Sequence, residues 1–178
     1  MGPFCDQIKI QLLNALPRID MSHLKLISRS PEQTQRLGAH IGRSALPGDI
    51  LLLVGSLGTG KTCLTQGIAR GLDIKEYVLS PSFVIVRELY GRLPLYHIDL
   101  YRLDHIEEIV ELGLDEYLYG NGICVVEWAE KGLGVLPPEH LLVQISYLTD
   151  TGRSFQFKPS GKRYIDMLAQ LKCVSLTH

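Results

Sequence analysis

The chain has 178 residues, of which 46% are hydrophobic, and its 18 basic and 19 acidic residues leave a net charge of -1. This length fits one domain, and this apolar content is enough to cover a central sheet on both faces. The balanced charge argues against a protein that binds DNA or RNA alone, because phosphate neutralisation dominates such binding and requires a basic surplus. If RNA is involved, we expect a partner to supply the contact.

The cysteines and the apolar runs bear on the compartment. Cys5, Cys63, Cys124 and Cys173 lie far apart and form no CxxC pair, which favours a reducing compartment over a disulfide framework or a zinc site. No apolar run approaches the ~20 residues of a membrane span, and the N-terminus lacks a signal-peptide pattern. The sequence therefore predicts a cytoplasmic protein that does not enter a membrane.

Residues 1–22 are predicted to be an N-terminal appendage that need not be ordered, ahead of a single domain over residues 23–178. Met21 is a possible alternative start. The first helix is expected to begin after Ser30 as N-cap, with Pro31 in the first helical position and Gln33 completing a capping box. Its inward face is predicted to carry Leu37, Ile41 and Ala45.

The run DILLLV is short and unalternating, which is typical of a strand buried on both faces of a parallel sheet. It leads into GSLGTGKT, residues 55–62, and then into TCLTQGIARGL, which has helical spacing. The loop matches GxxxxGK[ST] at Gly55, Gly60, Lys61 and Thr62. A strand before this motif and a helix after it are the context that a phosphate-binding loop requires.

Each residue type in this loop has a physical reason. Glycines let the backbone wrap around phosphate oxygens, and the helix that follows brings the positive end of its dipole to the same place. Lys61 is expected to reach the β and γ phosphates, and the Thr62 hydroxyl is expected to bind Mg²⁺. The sequence therefore predicts a nucleotide site at this loop.

The remaining elements alternate between strands and helices. SFVIVREL and PLYHIDLY are predicted strands around a turn at Gly91, and Asp104 to Glu107 is a predicted capping box that opens a helix running through Ile109 and Leu112 to Leu114. GICVVEW is a buried strand, HLLVQISYL and RSFQFKP form a hairpin around TDTG, and a last helix covers roughly residues 161–172. The predicted fold class is α/β: a P-loop NTPase-like domain whose partly parallel sheet carries antiparallel hairpin strands and flanking helices.

Two carboxylates close predicted strands. Asp99 ends YHID and Glu127 ends CVVE, and ligands of such sheets bind at the C-terminal ends of the strands. Hydrolysis requires a carboxylate near the metal and a group that orients water, so one acid is expected to serve Mg²⁺ and the other to polarise water. Which acid does which stays open, and the structural alternatives for Asp99 are helix entry or a salt bridge with Arg102.

Three further side chains have more than one interpretation. His97 shares a strand face with Asp99, so it either contacts phosphate, orients the aspartate or is a satisfied core histidine. Ser82 in SPSF is either a hydroxyl near the γ phosphate or part of an ordinary loop. Trp128, the single tryptophan, either fills the core or lies at a functional edge.

Taken in order, GDILLLVGSLGTGKTCLTQGIARGL, SPSFVIVREL, YHIDLYRL and VVEWAEKG resemble the TsaE (YjeE) family of small bacterial P-loop ATPases required for tRNA threonylcarbamoyladenosine biosynthesis. The resemblance runs from about Ser28 to the last helix. It implies that residues 55–63, from Gly55 to Cys63, bind ATP or ADP. It also implies that Thr62 and Glu127 hold Mg²⁺ and that Asp99 is needed for hydrolysis, which together with Lys61 makes the expected catalytic set.

The same resemblance implies roles outside the loop. SPSF resembles a switch segment with Ser82 where threonine is usual, Trp128 is expected beside the nucleotide, and Thr34 is expected on the adenine side.

Within the loop, the backbone of Ser56, Leu57, Gly58 and Thr59 is expected to contact phosphate. Ser56 stands where the family usually has aspartate, which puts a role for that acid in doubt here.

The resemblance implies a partner, the TsaD–TsaB heterodimer, which would carry the tRNA, so that this chain meets tRNA only indirectly. The expected function is a weakly ATP-hydrolysing switch that supports the complex adding threonylcarbamoyl to the adenosine next to the anticodon. Two alternatives stay open. One is a small-molecule kinase, but such kinases usually carry arginines on a lid over the phosphates, whereas Arg87, Arg92 and Arg102 are scattered here and no lid insertion is evident. The other is a non-hydrolysing, nucleotide-gated assembly factor.

Overall fold

The fold is built on one mixed sheet. The computed structural model describes residues 23–175 of the chain. The predicted appendage, residues 1–22, lies outside the described residues. The elements in chain order are β1 (Leu24–Ser28), α1 (Pro31–Ser44), β2 (Ile50–Val54), α2 (Lys61–Gly71), β3 (Val86–Tyr90), β4 (Pro94–Asp99), α3 (Ile106–Glu111), α4 (Asp115–Leu118), β5 (Ile123–Glu127), β6 (His140–Tyr147), β7 (Arg153–Ser160) and α5 (Lys162–Ser175).

The seven strands lie in the order β1-β7-β6-β2-β5-β4-β3. The four middle strands, β6, β2, β5 and β4, run parallel, while β1, β7 and β3 pair antiparallel at the two sides. Strand β2 is buried along Ile50–Leu53, as its unalternating apolar sequence predicts. The predicted α/β class with a partly parallel core and antiparallel hairpin strands is confirmed.

Helices cover both faces of the sheet. On one face α1, α2 and α5 bury a core that includes Ile41, Ile68 and Leu168 against β2, β6 and β7. On the other face α3 and α4 pack Ile109 and Leu118 against β2, β4 and β5. The parallel strands are therefore closed off above and below, and their chemistry is confined to the sheet edges.

Helix α1 lies directly against α2, the helix that follows the glycine loop. A Cβ on Gly38 would overlap the Leu64 carbonyl oxygen, and a Cβ on Gly67 would overlap the Gln35 carbonyl oxygen. Only glycine permits this approach of the two backbones. The contact brings the start of α1 beside the start of α2.

The predicted start of α1 is confirmed. Ser30 is the N-cap and accepts a hydrogen bond from Gln33 N at 3.3 Å, with Pro31 in the first turn. The predicted capping box was wrong, because the Gln33 side chain accepts from Arg29 N at 2.7 Å rather than from the amide of the N-cap, Ser30.

Three other features differ from the local predictions. No strand was predicted ahead of α1, yet Leu24–Ser28 pairs with β7 as a short edge strand. SFVIVREL is a strand only from Val86, because the amides of Val84 and Ile85 both bond to the Pro81 carbonyl in a turn.

The third correction concerns α3, whose capping acid is Glu108, not Glu107. The Glu108 carboxylate accepts from the amides of Asp104 and His105 at 3.0 and 2.9 Å, so the helix begins one residue later than predicted. It also ends early, at Glu111 rather than Leu114, because Gly113 adopts φ 61° and breaks the helical path.

Within residues 23–175, no helix has both the length and the apolar character needed to cross a membrane.

Candidate nucleotide site

The four parallel strands all end at one edge of the sheet, and a cleft of about 460 Å³ lies there. From the glycine loop and the start of α2, the residues that line it are Leu57, Gly58, Gly60, Lys61 and Thr62. From the other strand ends and the segment before β3, the predicted residues that line it are Ser82, Asp99, Glu127 and Trp128. The fold therefore brings most of the predicted site residues together in one place.

Other predicted residues lie outside the lining of this cleft. Thr34 is buried, and its hydroxyl donates to Ser28 Oγ at 2.9 Å. Cys63 is half-buried with its thiol against the Pro31 carbonyl at 3.5 Å, and burial raises the pKa of that thiol. Ser56 and Thr59 bond to each other within the loop: the Thr59 hydroxyl donates to the Ser56 carbonyl at 2.8 Å.

The loop adopts a conformation that glycine alone permits. Gly55, Gly58 and Gly60 have φ values of 147°, 76° and 101°, and a Cβ on Gly55 would overlap the Ile145 carbonyl oxygen. Gly60 caps α2 without any side-chain hydrogen bond, and the first turn of α2 carries no acid. The first amides of α2 therefore meet no carboxylate of the helix itself, which suits an anion at this end.

Two residues of the β6–β7 hairpin hold the loop from outside. The Tyr147 hydroxyl donates to the Leu57 carbonyl at 2.8 Å, and Arg153 Nε donates to the Thr59 carbonyl at 3.2 Å. The Arg153 guanidinium also lies 4.5 Å from the centre of the Tyr147 ring. Neither residue was singled out from the sequence, because nothing local to the hairpin marks it as a neighbour of the loop.

Lys61 is buried within the loop that it belongs to. Its Nζ donates to the carbonyls of Gly55 at 2.5 Å and Ser56 at 3.1 Å, and it lies 3.7 Å from the centre of the Trp128 ring. Burial lowers the pKa of Lys61, although the charges of Glu127, Glu130 and Asp99 act in the opposite direction. A phosphate oxygen would offer this ammonium a charged partner in place of neutral carbonyls.

Glu127 is buried and has three hydrogen-bonding neighbours. Its Oε1 lies 2.7 Å from His97 Nε2 and 3.4 Å from Thr65 Oγ1, and its Oε2 accepts from Thr62 Oγ1 at 3.0 Å. Thr62 and Thr65 both belong to α2, so the predicted magnesium pair, Thr62 and Glu127, is in direct contact.

Asp99 is equally buried but bonds to an irregular segment. Its Oδ2 accepts from the hydroxyls of Ser80 and Ser82, the latter at 2.6 Å, and its Oδ1 accepts from the Tyr101 amide at 2.9 Å. The salt bridge with Arg102 that the sequence left open is not formed, because the Arg102 guanidinium lies 4.1 Å from the centre of the Phe83 ring.

Two backbone positions beside the cleft are strained. Ile85, which closes the Ser80–Ile85 segment, has φ 66°, a region that β-branched residues almost never adopt. Trp128, directly after Glu127, has φ 59°, and its ring lies 4.8 Å from the ring of Tyr101. Such strain persists only where the surrounding contacts impose it, and it concentrates at sites of function.

No lysine or arginine among residues 23–175 forms an ion pair with Glu127 or Asp99, and the one ion pair of these acids within that range is His97 with Glu127, if the ring is charged. The described residues also contain no cluster of three His, Cys, Asp or Glu side chains that would hold a metal unaided. A cation at Glu127 would therefore need ligands from outside the chain.

Comparisons with known proteins agree in pointing to one family. The family model described as threonylcarbamoyl adenosine biosynthesis protein TsaE matches residues 28–155. A Bacillus subtilis protein named tRNA threonylcarbamoyladenosine biosynthesis protein TsaE is 44% identical over 151 residues, which is 84% of this chain and 94% of that one. The protein of the same name from Treponema pallidum is 39% identical over 130 residues, which is 73% of this chain and 96% of that one.

A solved structure is also similar. YdiB from Bacillus subtilis is 40% identical to this chain in sequence, and its crystal structure superposes on this chain with a TM-score of 0.76. The match covers 86% of this chain and 96% of the YdiB chain.

Proposed function

Since this chain belongs to the TsaE family and serves tRNA threonylcarbamoyladenosine biosynthesis, we propose that it is a Mg²⁺-dependent ATPase whose slow turnover switches a partner complex. One observation carries this proposal: the glycine loop, Lys61, Thr62, Glu127 and Asp99 converge on a single cleft. These are the groups that phosphoryl transfer requires, namely a phosphate cradle, a cation, a metal ligand pair and a second carboxylate.

ATP and ADP are the proposed nucleotides. The uncapped start of α2 and the left-handed glycines direct backbone N–H groups toward an anion, and Lys61 exchanges its two loop carbonyls for phosphate oxygens. The sequence carries no NKxD-like motif after the loop, which favours adenine over guanine. The role of Thr34 on the adenine side stays a prediction.

Mg²⁺ fits the residues present. A buried carboxylate that forms no ion pair with a lysine or arginine among residues 23–175 suits a cation, and Thr62 Oγ1 lies 3.0 Å from Glu127 Oε2, so both oxygens can face the same ion. Mg²⁺ commonly takes one or two protein oxygens and completes its shell with phosphates and water, so two protein ligands suffice. When bound, the ion supplies positive charge beside the β and γ phosphates.

Asp99 and the Ser80–Ile85 segment form the proposed switch. The hydroxyls of Ser80 and Ser82 are held on the Asp99 carboxylate, and the Asp99 amide donates to the Ile85 carbonyl at 2.9 Å. When the serine hydroxyls turn to a γ phosphate, Asp99 Oδ2 is released to orient water. The loss of these serine hydrogen bonds couples nucleotide state to the shape of this segment.

The proposed partner is the TsaD–TsaB heterodimer, through which the chain meets tRNA. The mouth of the cleft carries exposed apolar side chains, since Leu57, Phe83 and Val84 are 69%, 84% and 67% exposed. Exposed apolar groups of this size beside a nucleotide site suit a protein partner, whereas a net charge of -1 does not suit direct tRNA binding. The cytoplasmic location stays a prediction.

The test is ADP release from ATP by the purified chain, alone and with the TsaD–TsaB pair and tRNA of the same cell. We expect slow turnover alone, faster turnover with the complex, and loss of both in Glu127→Ala. Turnover that ignores the complex would contradict the switch and leave a P-loop protein with another partner. Phosphorylation of a small acceptor by the chain alone would establish the kinase alternative instead.

A non-hydrolysing assembly factor is favoured by one observation. Oδ2 of Asp99 already accepts from both Ser80 and Ser82, so both of its lone pairs are taken, and one lone pair of Oδ1, which accepts from the Tyr101 amide, is left for water. If nucleotide binding changes assembly with the partner and no ADP is released even in the full complex, this second function replaces the first.

A further inference from the structure

His97 is the one described histidine that is fully buried, and it lies under the cleft rather than in it. In the parallel pairing of β4 with β5, His97 is opposite Val125 and Asp99 is opposite Glu127. Side chains two residues apart share a sheet face, so His97 reaches diagonally across to the next strand. Its Nε2 lies 2.7 Å from Glu127 Oε1.

The two ring nitrogens of His97 differ. Nδ1 is buried with no hydrogen-bond partner among the described residues, whereas Nε2 faces the carboxylate. A proton on Nδ1 would be a buried donor without an acceptor, which is costly, whereas a proton on Nε2 is accepted by Glu127. The contacts therefore assign a proton to Nε2, which donates it to Glu127 Oε1.

The two oxygens of Glu127 are also used differently. Oε1 is held by His97 on the core side, with Thr65 Oγ1 3.4 Å away, while Oε2 meets only the Thr62 hydroxyl among the described residues. Of these side chains, Glu127 and Thr62 line the cleft, whereas His97 and Thr65 do not. One oxygen is thus anchored inward and the other is presented outward.

We propose that His97 is a positioning residue, which fixes Glu127 Oε1 so that Oε2 is presented with the Thr62 hydroxyl to the divalent cation of the nucleotide. This inference rests on the function proposed above and adds to it how the metal-binding oxygen of Glu127 is oriented. Loss of an outer contact of this kind weakens metal affinity by about 10–100-fold. Nucleotide binding without metal uses the loop and Lys61, so it does not depend on His97.

The experiment uses the full chain and four proteins: the parent, His97→Leu, His97→Gln and His140→Leu. Leucine removes the donor and keeps an apolar side chain of related size, and glutamine can offer an amide N–H near the place of Nε2–H. His140, at the start of β6, bonds to the Pro137 carbonyl away from the cleft, so it controls for loss of a histidine. Thermal unfolding verifies that each variant is folded.

The readout is the fluorescence of Trp128, the single tryptophan, which lies against Lys61 in the cleft. ADP is titrated without Mg²⁺, and Mg²⁺ is then titrated at saturating ADP. We expect His97→Leu to keep its metal-free ADP affinity and to need about tenfold more Mg²⁺ for the half-maximal response. We expect His97→Gln to recover part of that loss and His140→Leu to match the parent.

Three outcomes overturn the proposal. If His97→Leu responds to Mg²⁺ as the parent does, His97 is a core histidine only. If metal-free ADP binding falls as much as the Mg²⁺ response, His97 supports the whole cleft rather than the metal ligand. If the parent itself shows no Mg²⁺ response with ADP, the proposed function fails at this site and the inference fails with it.

A measurement on the parent alone covers the case in which His97→Leu does not fold. Nitrogen NMR of the histidine rings reports which nitrogen carries the proton, and we expect His97 to carry it on Nε2. Addition of Mg²⁺ and ADP should then shift the Nε2 signal while the His140 signals stay in place. A proton on Nδ1 instead would overturn the proposal, because Nε2 would have no hydrogen to give to Glu127.

Discussion

Two cavities of similar size lie at opposite ends of β2, and each contains a buried carboxylate. The cavity at the start of the strand, about 430 Å³, includes Asp49, and the cleft at its end, about 460 Å³, includes Glu127 and Asp99. All three acids are 2% exposed. Their burial is therefore the same, and what differs is the charge of their partners.

Asp49 is neutralised within the chain. Arg163 donates to both of its oxygens, at 2.8 and 2.6 Å, and the Leu46 amide donates at 2.8 Å. The hydrogen bond with Asp49 is the main reason that the pKa of Arg163 is raised. Among residues 23–175, no lysine or arginine donates a hydrogen bond to Glu127 or Asp99, which receive hydroxyl, ring and amide hydrogens. The two ends therefore do not differ in cavity volume but in whether the buried acid has a direct ion pair with arginine.

The largest effect is expected when Asp49 loses its arginine partner, so that, like Glu127, it has no ion pair with arginine. Arg163→Leu leaves a buried carboxylate without its cation, and breaking such a pair costs about 3–5 kcal/mol in the free energy of unfolding. Because Arg163 is partly exposed, we expect the lower end of that range. Chemical denaturation measures the loss, and Asp49→Asn with Arg163→Leu should recover part of it. An unchanged denaturation midpoint would show that the pair is not what stabilises this end.

The next largest effect is expected at Asp99 and separates it from Glu127. Asp99→Asn keeps the size of the side chain and removes the base, so kcat should fall by about 100-fold or more while Mg²⁺ and ADP still bind. Glu127→Gln should instead lose the Mg²⁺-dependent gain in nucleotide affinity. Single-turnover ADP formation and the Trp128 titration measure the two properties. If both variants lose the same property, the division of roles between the acids is wrong.

Lys61 offers a smaller effect on binding. Lys61→Ala removes a buried ammonium that we assign to phosphate, and a hydrogen bond to a charged group is worth about 2 kcal/mol, or about 30-fold in Kd. Calorimetric titration with ADP measures the change. Lys162→Ala is the matched control, since this exposed lysine pairs with Asp166 at 3.7 Å at the other end of the sheet. Equal Kd values for the two variants would remove Lys61 from the site.

What the sequence predicts well is what depends on neighbours along the chain. The spacing of Gly55, Gly60, Lys61 and Thr62 and the acids that end their strands are local patterns, so the α/β fold was predicted correctly and the loop and acids meet as expected. The pairing of His97 with Glu127 was not predicted, because it depends on the register of β4 with β5. The roles of these residues in binding and hydrolysis stay predictions.

Contacts between distant segments were out of reach for the same reason. Tyr147 and Arg153 bond to the loop across 90 and 94 residues of sequence, and neither has a motif of its own. The strain at Ile85 was also hidden, since SFVIVREL has the composition of an uninterrupted strand. Tertiary contacts override the secondary-structure preference of the local sequence at these positions.

The smallest predicted effect tests whether the hairpin contact matters to the cleft. Tyr147→Phe keeps the ring under Arg153 and removes only the hydrogen bond to the Leu57 carbonyl, which is worth about 1 kcal/mol, or about fivefold in Kd for ADP. The hydrogen bond restrains the loop and does not touch the acids, so kcat at saturating ATP should stay within about twofold of the parent. Tyr119→Phe, an exposed tyrosine beside the cavity of Asp49, is the control and should change neither value. A fall in kcat with an unchanged Kd would place the effect of Tyr147 on the chemistry instead, and it would then belong with the acids rather than with the phosphate loop.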